Sequence, residues 1–330
     1  LFPGPVSIYY GLTALIIAIP LSIYAMFTFY PNVARWVPYS PAWWSCTFPP
    51  GTVSMGGHQL ALVNGSELID APSDSFDQAE YDRRVAGARK WANMTQALVW
   101  FGIALHLVAF VTRGLAAKRF PLGNLFEFSI GAAFFAMATF SVAKSRRDLR
   151  WLGVFVTAFV VLLLMIASTS WYVEADEVVP SLKSYWLPIH VTVATLSVGI
   201  FVVGAIISAL YLMSDRGVGS ERFWRKLPPA ATLEKLSYSL HIIGFPLWTF
   251  TLIAGAIWAR EAWGAYWNWD PKEVWTFVIW TVYAAYLHAR ATKNTSRRTA
   301  NWIAIAGFVC IVINYTVVNF YFIGMHSYAQ

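Results

Sequence analysis

The chain is a succession of long apolar runs separated by short polar stretches. A bilayer-spanning helix needs about 20 mostly apolar residues, and the runs over 6–29, 93–112, 125–143, 151–170, 186–213, 238–259, 274–291 and 301–323 meet that requirement. None alternates apolar with polar at a period of two, as barrel strands would. The pattern therefore predicts an all-α polytopic membrane protein of about eight transmembrane helices. After the first run, Pro31, Pro38, Pro41, Pro49, Pro50 and Gly51 break any helix. The polar connection continues to about Lys90 and ends in Tyr81-Asp82-Arg83-Arg84, where a short surface helix is expected. Two parts result: residues 1–92, a first transmembrane helix with a cytoplasmic polar loop, and residues 93–330, a transmembrane bundle with an external segment over 260–273.

Composition agrees with this class, since 58% of the 330 residues are hydrophobic, 17% aromatic and only 12% charged. A net charge of +7 would suit nucleic acid, but Lys and Arg lie in short loops between apolar runs. There they set topology, and nucleic acid is excluded as a partner. Three strongly basic loops define the cytoplasmic side: 144–150, the loop with Arg216, Arg222, Arg225, Lys226 and Lys235, and the loop with Lys293, Arg297 and Arg298. Alternation then places the N- and C-termini, the acidic patch Glu174, Asp176 and Glu177, and the segment after the sixth run on the extracytoplasmic side. Arg113, Lys118 and Arg119 fall on that side too, against the rule, which implies a task for them. Cys46 and Cys310 are too few for a disulfide framework or a metal cluster and read as small apolar residues.

The segment between the sixth and seventh runs is Trp263-Gly264-Ala265-Tyr266-Trp267-Asn268-Trp269-Asp270-Pro271-Lys272-Glu273. Indoles rest comfortably at a membrane surface, but an interfacial belt does not require three Trp within seven residues, hinged by glycine and closed by Asp-Pro. The alternative is an aromatic shelf for a large planar ligand. Two histidines reach the same face from distant sequence: His190 begins the fifth run at its outer end, and His326 follows the outer end of the eighth. Two imidazoles beside an indole cluster describe a haem site, because His commonly holds haem iron and a flat macrocycle stacks on indoles. His288, near the inner end of the seventh run, is either a further haem ligand or an interfacial histidine. His106 and His241 read as packed, hydrogen-bonded core histidines, and His58 has no distinguishing context.

The Trp263–Glu273 segment resembles the tryptophan-rich WWD signature of haem-handling membrane proteins. Its ending Asp270-Pro271-Lys272-Glu273 is similar to the CcsA/ResC family, the cytochrome c synthase component of system II maturation. The likeness extends from Pro121-Leu122-Gly123-Asn124-Leu125-Phe126-Glu127 through His190, Gly244-Phe245-Pro246 and His288 to His326, the last two thirds of the chain. The resemblance implies a cytochrome c synthase, or haem lyase. Such a protein delivers haem b to the extracytoplasmic face and joins it by thioethers to a reduced Cys-x-x-Cys-His apocytochrome c. It further implies His190 and His326 as axial ligands, Trp263, Trp267, Trp269 and Asp270 as haem-contacting residues, and His288 as an inner haem ligand. A CcsB/ResB-type partner subunit, an upstream thiol-reducing pathway, and a bacterial plasma membrane or thylakoid location complete the expectation.

Asp270 and Glu273 have two readings, a cap on the seventh helix or a contact to an axial histidine, and capping is favoured because haem propionates are anionic. Arg113, Lys118, Arg119 and Lys272 are the cations available to those propionates. Two other functions stand beside the synthase: a haem exporter or chaperone without ligase activity, and a membrane b-type electron carrier. The latter is expected to place paired histidines deep in facing helices.

Overall fold

The computed structural model describes residues 78–146, 149–174, 184–224 and 227–326. The predicted first span over 6–29 and the proline-rich connection up to residue 77 lie outside the described residues. Helix α1, Gln78–Ala117, runs for 40 residues. The surface helix expected at Tyr81 is therefore the start of α1, because no proline interrupts the chain from there to the end of the following apolar run. Then come α2, Leu125–Arg146, and α3, Gly153–Ser170, entered through a 3-10 turn at Arg150–Leu152. Next are α4, Trp186–Asp215, the short α5, Glu221–Trp224, and α6, Ala230–Trp263. The chain continues with α7, Pro271–Ala291, and α8, Arg297–Ile313, which runs through a π-turn at Asn314–Val318 into a last turn, α9, Asn319–Tyr321. Among the described residues there is no strand.

Among the described residues, six helical segments are long and apolar enough to cross a membrane: Asn93–Ala117, Leu125–Ser145, Arg150–Ser170, Trp186–Asp215, Ala230–Trp263 and Arg297–Tyr321. The predicted seventh run is helical as α7 but is not among the six. Its Trp, Tyr and Thr side chains, with His288 and Arg290, dilute its apolar character. Pro246 lies inside α6, and the helix continues past it, as membrane helices allow when neighbours supply the missing partners.

The chain forms two compact units. The described part of the first covers 78–109, 140–146, 149–161, 220–224 and 227; in it Lys144 Nζ donates to Gln96 Oε1, and Leu152 and Val156 are fully buried. The second comprises Phe110–Thr139, Leu162–Gly219 and the chain from Pro228 onward, and it holds His190, the Trp263–Glu273 segment, His288 and His326. Its centre is the seam between α4 and α6. A Cβ on Gly204 would come 2.7 Å from His241 Cε1, and one on Gly244 would come 2.7 Å from Phe201 Cε1. Small residues at these positions let the helices approach closely, the usual solution where lipid offers no hydrophobic drive between helices. Phe201 stacks on Tyr283 of α7 with centroids 4.0 Å apart and planes 6° from parallel, tying the third helix to the seam.

Candidate functional site

The Trp-rich segment is a short loop whose shape follows from its polar residues. Helix α6 ends at Trp263 because Gly264 adopts the left-handed conformation, φ 81°, with its amide bonded to Arg260 O. Helix α7 begins at Pro271, a residue suited to a first helical position, with Asp270 as N-cap accepting from Lys272 N at 3.2 Å. Glu273 completes a capping box, and its Oε2 accepts from Asn268 N at 2.8 Å and Asp270 N at 3.2 Å. These two bonds straddle Trp269, which is held at φ 58° and is 77% exposed. A bulky residue in the left-handed region is strained by about 1–3 kcal/mol, so Glu273 is what presents this indole. Glu273→Ala is expected to relax the turn. Amide exchange at 268–270 should quicken about tenfold, the equivalent of one lost hydrogen-bonded cap, while the middle of α7 keeps its protection.

The three indoles do not form one flat floor. Trp267 and Trp269 meet edge to face, centroids 5.9 Å apart at 86°, on the exposed side. Trp263 turns inward, edgewise against the His326 ring at 4.7 Å and against Trp258 at 4.7 Å. The shelf expected from sequence is thus divided between an exposed pair and a packed member.

Asp270 fills both roles between which the sequence left a choice. Besides capping α7, its Oδ2 accepts from His326 Nδ1 at 2.6 Å and its Oδ1 from Met325 N at 2.5 Å. Burial alone would raise its pKa, but the hydrogen bond and charge of His326, with the amides of Met325 and Lys272, outweigh burial and hold the carboxyl below its ordinary range. Gly324 makes this convergence possible, since a Cβ there would stand 2.3 Å from Asp270 Oδ1. A small depression lies beside it, lined by Asp270, Pro271, Lys272, Asn319, Phe322, Gly324 and His326. Lys272 donates from Nζ to Asn319 Oδ1. Burial pushes the Lys272 ammonium down to about 8, against the opposing pull of the Asp270 charge.

His190 approaches from α4. Its Nδ1 lies 3.0 Å from Thr251 O of α6, and its ring is stacked with Trp258 at 6.1 Å and 11°. Trp258, 2% exposed, also meets His326 at 5.6 Å, so one buried indole links the two imidazoles that the sequence had paired. A carbonyl and a carboxylate can only accept, so Nδ1 carries a proton on both rings, and in the neutral form of each ring the lone pair is on Nε2. That is the tautomer of a metal-binding histidine whose other nitrogen is oriented by a second partner, which leaves Nε2 of each ring as the nitrogen that could hold haem iron. Trp258, Gly255 and Gly324 were not singled out from the sequence. Trp258 lies little more than a helical turn before the Trp cluster on the same apolar run, which is the signal that would have found it.

The remaining candidates lie elsewhere. His288 sits in the last turn of α7, exposed, roughly 27 Å along the helix from Asp270 at 1.5 Å per residue. The structure does not bring it to the other two histidines. His241 is fully buried, with Nδ1 donating to Ser237 O at 2.8 Å and its ring against Phe201, Tyr283 and Tyr286, the core histidine expected. His106 lies in α1, and His58 falls outside the described residues.

The basic exception to the topology rule has a structural explanation. Glu127, fully buried, accepts from Arg113 Nε at 2.9 Å, from Arg119 Nη1 at 2.7 Å and from Gly123 N at 2.7 Å. Arg113 also donates to Val173 O at 2.7 Å and lies over the Phe126 ring. Arg113 and Arg119 are therefore engaged by a buried carboxylate instead of standing ready for an anionic ligand. Lys118 is exposed at φ 51°.

The family described as cytochrome C assembly protein matches residues 122–326, a range bounded closely by the Glu127 turn and His326. The cytochrome c biogenesis protein CcsA of Porphyra purpurea is 34% identical over 290 residues, covering 74% of this chain and 89% of the relative. That of Gloeobacter violaceus is 34% identical over 273 residues, with 66% and 80% covered. That of Prochlorococcus marinus is 36% identical over 252 residues, with 66% and 78% covered.

Proposed function

Because the chain belongs to the cytochrome c assembly protein family, we propose that it holds haem b as a substrate between His190 and His326 and catalyses its attachment to a reduced Cys-x-x-Cys-His apocytochrome c. The observation that carries this reading is the matched state of the two imidazoles. Each has Nδ1 turned to an acceptor and both meet Trp258, beside a loop that presents Trp267 and Trp269. The site is extracytoplasmic, as the basic loops on the other side indicate.

In the reaction each cysteine S–H adds across a haem vinyl group. A carbon–sulfur bond forms at the inner vinyl carbon and the hydrogen ends on the outer one, with no external oxidant or reductant. What the protein supplies is immobility. Two axial imidazoles fix the iron, and the indoles limit tilting and sliding of the ring. Orientation of this kind lowers barriers by about 7–11 kcal/mol in the best cases. The small depression beside His326 has no His190 in its lining and does not enclose a macrocycle. The residues that would hold the ring at the open face are His190, His326 and the exposed Trp267 and Trp269, and an acceptor would reach it there.

A CcsB/ResB-type subunit is the membrane partner, and exposed His288 is the station at which haem is taken before it reaches the outer pair. His288→Ala is expected to lower the haem content of the purified chain severalfold while leaving the ligation spectrum of the remaining haem unchanged. Full haem occupancy in that variant removes His288 from the route. Attachment itself is tested by co-expression with the partner subunit and a Cys-x-x-Cys-His acceptor, followed by a denaturing gel stained for haem. A covalent haem band is expected. Its absence, with haem still bound to the chain, would reduce the function to haem handling.

A further inference from the structure

The last helix changes its winding just before the site. Over Asn314–Val318 it makes a π-turn, a rare winding that admits an extra residue and recurs at functional sites. The side chains show the altered period. Tyr315 and Phe320 both pack on the Trp171 ring, at centroid distances of 5.1 and 6.3 Å, although positions five apart in a regular α-helix point about 140° from each other. The Tyr315 hydroxyl also bonds to the Ser129 hydroxyl of α2, and its ring meets Phe128 at 5.9 Å. With Tyr315 and Phe320 held on that side, Asn319, which is 2% exposed, faces α7, and its Oδ1 accepts from Lys272 Nζ. Beyond α9, Gly324 passes so close to α7 that a Cβ on it would come 3.0 Å from Pro271 Cδ, and Met325 N and His326 Nδ1 donate to Asp270. The first turn of α7 thus grips the C-terminal stretch twice, through Lys272 before the exposed residues Tyr321, Phe322 and Ile323 and through Asp270 after them.

We infer that Asn319 and Lys272 are positioning residues for His326: their contact fixes where the C-terminal stretch leaves α9, so that the imidazole arrives on Asp270 with Nε2 left for the iron. This rests on the reading that His190 and His326 both bind haem iron. The two grips divide the work, since Asp270 orients the ring and Asn319 places the chain that carries it. His190 needs no such device, because it sits on α4 itself, with Nδ1 on Thr251 O of α6. Without the Lys272 contact, only the bonds to Asp270 hold the exposed stretch to α7, and the His326 imidazole is offered to the iron from a longer and looser chain.

The test uses absorption spectra of the haem-loaded full chain in detergent. Asn319→Ala is expected to shift the balance from bis-imidazole toward single-imidazole haem about tenfold, the lower end of second-partner effects on metal sites. Lys272→Met breaks the same contact from α7 and should act alike. Asn319→Asp keeps an oxygen for the ammonium and should retain the wild-type spectrum; loss of the signature there too overturns the inference. A general loss of packing would not act through one ligand alone. In His190→Gly with added imidazole, where His326 is the protein's ligand, Asn319→Ala should weaken haem retention about tenfold. In His326→Gly with added imidazole it should leave retention unchanged. Equal weakening in both backgrounds, or weakening in neither, overturns the inference. Should Asn319→Ala fail to fold, Lys272→Met in the same two backgrounds decides. If neither His190→Gly nor His326→Gly alters the spectrum of bound haem, the ligand reading falls and the positioning role with it. If both alter it while Asn319→Ala and Lys272→Met do not, the positioning role alone falls.

Discussion

Replacing His190 or His326 with Ala is expected to lower the yield of covalent c-type cytochrome at least about a hundredfold, the scale on which misplacing a reacting group by an ångström acts. With both imidazoles as proposed ligands, each substitution would leave the iron with one protein imidazole, and the ring would be free to swing about the remaining bond and carry its vinyl edges away from the acceptor thiols. The two variants differ in what accompanies the loss. His190 is packed in the α4–α6 seam against Trp258, so His190→Ala also opens a void there. His326→Ala frees Asp270 from one donor but leaves the cap on α7 and the Met325 amide in place. Added imidazole should restore His326→Ala more fully than His190→Ala, because the surface stretch admits a small ligand without repacking. Normal covalent yield in either variant without imidazole removes that histidine from the site.

The second large effect concerns stability. Glu127→Gln leaves the guanidinium groups of Arg113 and Arg119 facing a neutral amide in a buried position. Removing one partner from a buried ion pair costs about 3–5 kcal/mol. Arg113 is 7% exposed and lies over Phe126, so water does not replace the lost carboxylate. The measurement is denaturant unfolding of the purified chain in detergent, comparing wild type with Glu127→Gln, and Glu127→Met with the double variant Glu127→Met, Arg113→Met. The double variant should recover at least about 1 kcal/mol, since it removes a buried charge along with its partner. Equal stability of wild type and Glu127→Gln contradicts the buried staple.

The helices of the described chain were legible as apolar runs, because lipid demands a continuous apolar surface and that demand is local in sequence. Gly264 as hinge and Asp270-Pro271 as helix start were legible for the same reason: caps are written in adjacent residues. What lay between distant segments was not. Asp270 meets His326 across 56 positions, and no local pattern separates a carboxylate that caps a helix from one that does so while orienting an imidazole. Trp258 looks like any apolar residue of its run until α4 delivers His190 to it. Arg113 and Arg119 appeared as unexplained external charge because Glu127, already visible in the Pro121–Glu127 turn, pairs with Arg113 only when α1 and α2 fold together. Helix α7 is the intermediate case. Its helicity follows from its residues, yet its aromatic and charged side chains keep it out of the class of plainly apolar spans.

The central claim, that His190 and His326 together hold haem, is tested most directly by the absorption spectrum of the haem-loaded chain with each histidine replaced by Gly. The wild-type chain should show a low-spin spectrum of bis-imidazole haem. Each variant should lose that signature and regain it on addition of imidazole, which occupies the vacated axial position. A bis-imidazole spectrum that persists in His190→Gly or in His326→Gly without added imidazole contradicts the account.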